Sequence, residues 1–522
     1  MAATIARKRG RNRRPDVLQK PRGIIHPRVQ KVGPEHFGIV AVDCAKARSK
    51  WMLSDFYGNV LAPPTVVEHN RAGFDAAIAL LKETARQHQI QDLLVAVERT
   101  GRYHHQPARA FAAGGFEVRT VHPFTTKQFR QPADPGNKTD DNDLAAISRA
   151  AINGFALVEP KLDEFWRQLQ LLVRHRRDLV QKASTLCCQI KEHLDAALPG
   201  YAACFPTLWE HPAAMTLALN VGDAQALKDA SNVRLGSVLQ NAGVGFQQRT
   251  LDRVRQWATG AAAPDAAAPH HRQIAADLEA DRQQKERQIQ ALERQIASLL
   301  ARTPYVLLMS IPGINVVSAA EYAAEAGPMS NYANARCITG RAGLYPSRHQ
   351  SDQVDYSGSM IKCANHRLRF ALMQIADNLI LCNHYFRNLA APWRVRKDDP
   401  RLIRVRVAMR LSRISFQMVA GGKVFDHPAS RQRDYILQKL IAFHQQHETP
   451  ALNVQHDLQQ ARMQLPPGEY AAEAKPLQEE LSKIIEKRRR GPQPLGEILP
   501  AVLAELAANV IQSPPSGNAD PM

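Results

Sequence analysis

Short apolar runs alternate with helical patterns in the first third of the chain. Each run is bounded by turn residues, as is typical of buried strands. The five predicted strands are FGIVAVD (37–43), KWMLSDF (50–56), VLAPPTVVEH (60–69), LLVAVE (93–98) and FEVRTV (116–121). An amphipathic helix is predicted over 72–88, and another helix opens near Asp140. Three consecutive strands followed by strand–helix alternation predict an α/β layer with a mixed sheet.

Two later stretches repeat apolar residues at spacings of three and four. The first runs from Leu162 to His193, and the second from Ile289 to Leu299, after an Ala- and Pro-rich break. This spacing is typical of a heptad seam and predicts coiled-coil helices that pair as an antiparallel hairpin or between subunits. Arg176 falls in the first seam, where an unpaired buried charge would cost stability. We therefore expect Arg176 to fix the register or to reach a polyanion.

These changes of pattern divide the chain into five segments. The basic N-terminal segment is expected to be disordered, because runs of like charge repel one another and bury little apolar surface. The expected segments are a basic arm at 1–36, an α/β domain at 37–158, seam helices with a helical insertion at 159–302, a mainly helical domain at 303–427 and a helical extension at 428–522.

The charge of the chain predicts a polyanionic partner. Its 522 residues include 68 Lys and Arg against 49 acids, a formal net charge of +19, and nucleic acid is the polyanion this favours. No apolar run is long enough to predict a membrane span, and the N-terminus lacks a secretory signal. The seven cysteines never form a C-x-x-C pair, which argues against a cysteine zinc site and a disulfide framework. We expect a reducing cytoplasm.

Acid is concentrated at one point of this basic chain, in GNKTDDNDLAA (136–146). Thr139 is placed to cap a helix, and acids in the first turn meet the positive end of the helix dipole. Asp140 and Asp143 are three residues apart and therefore lie on one helical face, close enough to share a metal ion.

Two further acids each end a predicted strand, Asp43 and Glu98. A single acid in such a position is more often a turn residue, but the ends of neighbouring strands can converge at a sheet edge. Four carboxylates at one point would raise one another's pKa, so the arrangement implies a cation. Oxygen ligands favour Mg²⁺ or Mn²⁺, and two such ions can support phosphodiester cleavage.

The mainly helical domain contains two candidate functional stretches. LLMSIPGINVVSAAEYAAEAG predicts helix, turn and helix, with Pro312 and Gly313 starting the turn. This resembles a helix-hairpin-helix, which offers backbone N–H groups to a phosphate; an ordinary turn between helices is the alternative. The following stretch carries four serines, and the residues alone do not choose a nucleophile among Ser347, Ser351, Ser357 and Ser359.

Three blocks of the sequence carry a family resemblance. GIVAVDCAK, AVERTGRY and NKTDDNDLA closely resemble the blocks of the DEDD transposases of bacterial insertion sequences, the family numbered one hundred and ten. The resemblance implies a RuvC-like, ribonuclease-H-type fold for the first domain. It places the family's metal-binding and catalytic acids on Asp43, Glu98, Asp140 and Asp143 and leaves Asp141 outside the set.

The resemblance also extends through the helical domain, to about residue 426. The family's catalytic serine stands five residues after the proline of a GL-x-P block, which selects Ser351. The family's K-x-x-N-x-x-LR stretch begins at Lys362. The basic residues that we expect to contact nucleic acid are Arg348, Lys362, Arg367 and Arg369.

The function implied by the resemblance is a Mg²⁺-dependent DNA transposase of an insertion sequence. Its serine would form a covalent phosphoserine link to DNA, a structured bridge RNA would guide it, and it would act as a dimer or tetramer in the bacterial cytoplasm, at the nucleoid. A RuvC-like junction nuclease that uses water is the alternative, since it needs the four acids but not Ser351. An architectural DNA-binding protein would need only the charge.

Overall fold

The computed structural model describes residues 22–130, 136–159, 163–205, 207–351, 354–425 and 435–466. These residues form two compact units, Met1–Lys161 and Leu162–Met522. No helix within these ranges is both long and apolar enough to cross a bilayer. Most of the basic arm and the last part of the C-terminal extension lie outside the described residues.

The first unit is built on a mixed β-sheet. Its described strands run in the order β3-β2-β1-β4-β5, with β1–β2 and β2–β3 antiparallel and β1–β4 and β4–β5 parallel. The elements are α1 His26–Val32, β1 Phe37–Cys44, β2 Arg48–Asp55, β3 Val60–Glu68, α2 Arg71–Gln87, β4 Asp92–Glu98, α3 His105–Ala113, β5 Glu117–Val121, α4 Pro123–Arg130 and α5 Asp140–Ile152. The predicted α/β layer with a mixed sheet is confirmed, and the topology is consistent with a ribonuclease-H-like domain.

Helices cover both faces of this sheet. Successive side chains of β1 point to opposite faces, so they enter two different apolar clusters. Ile39 and Ala41 pack in one apolar cluster with residues of α1 and α5. Val40 and Val42 pack in a second cluster with residues of α2 and α3. A strand that is buried on both faces has a continuous run of apolar residues, and for this reason FGIVAVD predicts a buried strand.

Residues 22–36 are ordered, although they belong to the basic arm for which disorder is expected. Ile25 and Val29 are buried against the sheet. Arg28 pairs with Asp92 at 2.5 Å and with Glu117 at 2.6 Å. Acids of the sheet thus neutralise part of the basic segment, a pairing that composition does not reveal.

The second unit is mostly helical in its described part. Its helices are α6 Glu164–Ala197, α7 Pro212–Asn220, α8 Ala224–Asp229, α9 Asn232–Asn241, α10 Gln248–Thr259, α11 Ala268–Ala301, α12 Val316–Ala326, α13 Ala335–Ala342, α14 His366–Cys382, α15 His384–Val395, α16 Pro400–Gly421, α17 Tyr435–Gln446 and α18 Ala451–Met463. A two-stranded hairpin interrupts them, formed by β6 Pro346–Ser351 and β7 Val354–Met360.

The two seam helices, α6 and α11, pair within the chain and run antiparallel. Arg176 contacts Glu293 near one end of the pair, and His193 Nδ1 lies 2.8 Å from His271 Nδ1 near the other. The helix α11 begins at Ala268, well before the second seam, because its first half packs on the separate apolar core of α7 to α10.

Arg176 is the centre of a charged network that joins several helices. Its guanidinium pairs with Glu293 at 2.7 Å and with Glu321 of α12 at 3.1 Å. The other oxygen of Glu293 lies 2.5 Å from His447 Nε2, just beyond α17. Of the two roles open to Arg176, the structure supports that of fixing the register.

Substitution of Arg176 tests this role. In Arg176→Ala, the buried Glu293 and the partly buried Glu321 lose the cation that they share, so we expect a loss of about 3–5 kcal/mol in the free energy of unfolding. Chemical denaturation of the full chain measures it. Lys182→Ala, an exposed change on the same helix, is the control and should stay within about 0.5 kcal/mol of wild type. Equal stability of the two variants would contradict the role.

Candidate metal centre and serine hairpin

The parallel pairing of β1 with β4 positions the first two acids. Val42 is in register with Val97, so the next residues, Asp43 and Glu98, lie side by side at the carboxyl ends of the two strands. The Thr100 hydroxyl donates to a Glu98 oxygen at 3.1 Å. The expected convergence at a sheet edge is therefore present.

The start of α5 positions the other two acids. The Thr139 hydroxyl accepts from Asn142 N–H at 3.2 Å, so Thr139 is the N-cap as its sequence context predicts. The buried residues Leu144 and Ile147 hold the helix against the sheet. As a result Asp143, with only 6% of its surface exposed, faces the sheet.

The charges of the other three acids act on Asp43. Burial, followed by the charges of Glu98, Asp143 and Asp140, raises the pKa of Asp43 to about 6. This is the signature of carboxylates that share one region of low dielectric constant. Among these four described acids, no three have carboxylate oxygens that all lie within 4.8 Å of one another. Their donor atoms are all oxygens, so the set fits Mg²⁺ or Mn²⁺.

Two basic residues neutralise the acids of α5. Lys50 of β2 pairs with Asp141 at 2.5 Å, in keeping with the place of Asp141 outside the ligand set. Arg130, the last residue of α4, pairs with Asp143, and both side chains are largely buried. Arg130 could not be predicted from the sequence, because neither α4 nor its approach to α5 has a signal in local periodicity.

Ser351 ends β6 and is exposed next to the turn of the β6–β7 hairpin. Residues 352 and 353, which include the position after the serine, lie outside the described residues. His349 is two residues earlier on a regular strand, so it shares a face with Ser351 and stacks on Tyr356 at a centroid distance of 5.0 Å. Ser347 donates to the carbonyl oxygen of Ser359 at 3.2 Å and so helps to close the hairpin.

The hairpin itself was not predicted. Most of the β6 side chains are exposed, and the strand has no apolar alternation to reveal it. The pairing is nevertheless regular at its end, where Ser351 is in register with Val354. Ser351 is therefore held at the end of a defined strand.

The basic residues near the hairpin divide into two kinds. Arg348, Lys362 and Arg367 are exposed. Arg369 is different, because its guanidinium donates to the carbonyl oxygens of Ala342, at 2.8 Å, and Ile361. Burial also lowers the pKa of Arg369. Its contacts are thus internal to the fold, whereas a phosphate contact was expected.

The turn before α12 departs in two ways from the predicted hairpin. A 3₁₀ helix, Pro304–Ser310, replaces the first helix. Asn315, at the end of the turn, is an extended N-cap with φ −104° and forms a capping box with Ser318. Gly313 supplies the positive φ, at +100°. The ammonium of Lys439, on α17, donates to three carbonyl oxygens around this turn.

The first unit thus has a mixed sheet with flanking helices, consistent with a ribonuclease-H-like domain, and it places Asp43 and Glu98 side by side at the ends of two parallel strands. Residues 40–199 match the family model for DEDD transposases of the IS110 type, described as "Transposase". Residues 305–391 match a second model, described as "Transposase IS116/IS110/IS902 family". Two separate segments of the chain thus match models of this transposase family, and transposase families imply an enzyme that acts on DNA.

A curated relative agrees with this assignment. It is the "Insertion element IS110 uncharacterized 43.6 kDa protein" of Streptomyces coelicolor, 25% identical over 303 residues, which cover 56% of this chain and 73% of the relative. The family resemblance identified from the three sequence blocks is confirmed.

The raised pKa of Asp43 predicts a pH-dependent stability. Between its usual pKa near 4 and about 6, folded Asp43 holds a proton that the unfolded chain has lost, so stability falls as pH rises through this window. Without divalent metal, Asp43→Asn should therefore gain about 1–3 kcal/mol at pH 7 and nothing below about pH 4. Calorimetry at both pH values measures the gain. Asp141→Asn, an exposed change nearby, should show no such gain; a pH-independent effect of Asp43→Asn would contradict the coupling.

The contrast between Arg369 and Lys362 gives a second prediction. Arg369→Ala leaves two carbonyls without a donor and should lower the free energy of unfolding by about 1–3 kcal/mol. Lys362→Ala should leave stability unchanged and reduce the salt dependence of DNA binding by about one unit of slope. Denaturation and binding titrations at several salt concentrations measure the two effects. The reverse pattern would show that Arg369, and not Lys362, faces the DNA backbone.

Proposed function

We propose that this transposase cuts and rejoins the DNA of its insertion sequence by a Mg²⁺-dependent reaction in which Ser351 is the nucleophile. The observation that carries the proposal is the electrostatic coupling of Asp43 to Glu98, Asp140 and Asp143. A basic chain that keeps four acids together at a sheet edge pays for their repulsion unless a cation joins them. The family assignment supports DNA as the substrate.

Asp43, Glu98, Asp140 and Asp143 would hold the metal. When bound, Mg²⁺ or Mn²⁺ would help to deprotonate a nucleophile and stabilise the leaving oxygen of a phosphodiester. The protonated fraction of Asp43 near pH 6 supports this assignment, since a cation can replace that proton. Arg130 pairs with Asp143 and would be available to contact a phosphate bound beside the acids.

Ser351 would carry the covalent step. Its Oγ attacks a DNA phosphorus, loses its proton, and displaces the hydroxyl of the leaving strand. The phosphoserine bond then conserves the energy of the phosphodiester, and a hydroxyl of the partner strand displaces the serine to rejoin the DNA. The exposure of Ser351 at the end of β6 supports this role, since a long, stiff polymer must reach it.

The remaining parts of the proposal concern partners. The net charge of +19 favours a second polyanion besides DNA, and we assign it to a bridge RNA that pairs with the DNA while the protein contacts the backbone. The N-terminus of α12 and the exposed basic residues Arg348, Lys362 and Arg367 are candidates for those backbone contacts. The basic residues before position 22 lie outside the described residues.

We further propose that the enzyme works as a dimer or tetramer in the bacterial cytoplasm, associated with the nucleoid. The long α6–α11 pair would act as a coiled coil in this assembly. Acids of one protomer and Ser351 of another would then complete one site. In this proposal the five segments predicted from the sequence are the domains of the enzyme.

A covalent trap separates this mechanism from its alternatives. Protein with its co-purified RNA is mixed with Mg²⁺ and a nicked DNA that carries the element's junction, and the products are separated on a denaturing gel. We expect a protein-linked DNA band that requires Mg²⁺ and is lost in both Asp140→Asn and Ser351→Ala. Ser347→Ala is the matched control, because Ser347 lies on the same strand and contacts Ser359.

Each other outcome supports a different class. Free cleaved DNA from both wild type and Ser351→Ala would make the protein a metal-dependent junction nuclease that uses water. A linked band that survives in Ser351→Ala and disappears in Ser347→Ala would move the nucleophile to Ser347. Tight binding of the DNA with no cleavage in any lane would favour an architectural role.

A further inference from the structure

A second group of possible metal ligands lies in the first unit. One ligand atom each from His104, His105 and Glu159 lies within 4.8 Å of the others, the only such group among the described residues. His104 and His105 are at the start of α3, beyond the end of β4. Glu159 follows the β-bridge of Thr120 and Leu157, in the segment that leads out of the unit.

His104 is buried without satisfied ring nitrogens. Only 1% of its surface is exposed, and among the described residues neither Nδ1 nor Nε2 has a hydrogen-bond partner. The nearest Glu159 oxygen lies 3.6 Å from Nε2, too far for a good hydrogen bond. A buried polar group without a hydrogen bond lowers the free energy of unfolding by about 1–3 kcal/mol, and a bound ligand would remove this penalty.

The geometry supplies the other ligands beside this imidazole. The His105 ring lies 4.1 Å from the His104 ring, centroid to centroid. Glu159 directs one oxygen toward His104 and the other toward Arg99, whose Nη2 is 3.6 Å away. A basic residue that holds the far oxygen of a carboxylate is the type of outer contact that orients metal ligands.

We propose that His104, His105 and Glu159 form a binding site for one Zn²⁺-class cation, distinct from the oxygen-only site of Asp43, Glu98, Asp140 and Asp143. Two imidazole nitrogens and one carboxylate oxygen suit Zn²⁺, Co²⁺ or Ni²⁺ and are a poor match for Mg²⁺. The ion would tie the segment that leaves the first unit to the connection between β4 and α3. Because Arg99 follows Glu98 directly, this cross-link would stiffen the region beside the oxygen-only site.

Metal titration of the full-length protein tests the proposal without reference to transposition. Metal-free protein is titrated with Co²⁺ in a large excess of Mg²⁺, which occupies oxygen-only sites. We expect one equivalent of Co²⁺ to bind with the intense visible absorption of a four-coordinate site containing nitrogen. Zn²⁺ should displace it and raise the melting temperature of the protein.

Variants locate the site. Glu159→Gln and His105→Ala, both changes of partly exposed residues, should each weaken Co²⁺ binding by at least about tenfold. His193→Ala is the matched control, since it removes one member of the close histidine pair His193–His271 and should leave binding unchanged. Circular dichroism checks that each metal-free variant is folded.

Two results would overturn the proposal. The first is the absence of any tightly bound Co²⁺ in the wild-type protein. The second is a bound ion whose affinity and spectrum are unchanged in both Glu159→Gln and His105→Ala, particularly if His193→Ala abolishes it. The outcome is independent of the proposed function, because none of these residues belongs to the four-acid set or to the serine hairpin.

Discussion

Repulsion between four carboxylates at one sheet edge is the constraint on which the first unit depends. The parallel register of β1 and β4 sets Asp43 beside Glu98, and Asp140 and Asp143 at the start of α5 lie close enough for their charges to raise the pKa of Asp43. Burial prevents water from relieving the repulsion, so the pKa of Asp43 rises to about 6. The apolar clusters on both faces of the sheet hold this arrangement, and the pairing of Arg130 with Asp143 offsets part of the repulsion.

The second unit also contains acids that lie close together, but basic side chains pair with them. Arg176 lies between Glu293 and Glu321, and His447 contacts Glu293 from the far side. Lys439 satisfies carbonyl oxygens at the turn before α12. Both His447 and Lys439 come from the C-terminal extension, so its described helices are part of this unit's core and support the turn before α12.

The sequence predicted those elements whose formation depends on neighbouring residues. The strands around Asp43 and Glu98 and the cap at Thr139 could be read directly, because burial on two faces and first-turn capping leave a signal in neighbouring residues. Arg130, the internal contacts of Arg369 and the grouping of His104 with Glu159 depend on residues far apart in the chain. The β6–β7 hairpin could not be predicted for another reason, because the exposed residues of β6 do not alternate with apolar ones.

Identification of the residue that becomes linked to DNA tests the central claim most directly. The trapped complex is digested with nuclease and trypsin, and the peptide 349–362, which lies between Arg348 and the cleavage after Lys362, is fragmented by mass spectrometry. The account predicts a nucleotide remnant on Ser351, formed only with Mg²⁺ and absent in Asp140→Asn. A remnant on Ser357, Ser359 or a residue outside this peptide would contradict it, as would cleaved DNA with no adduct at all.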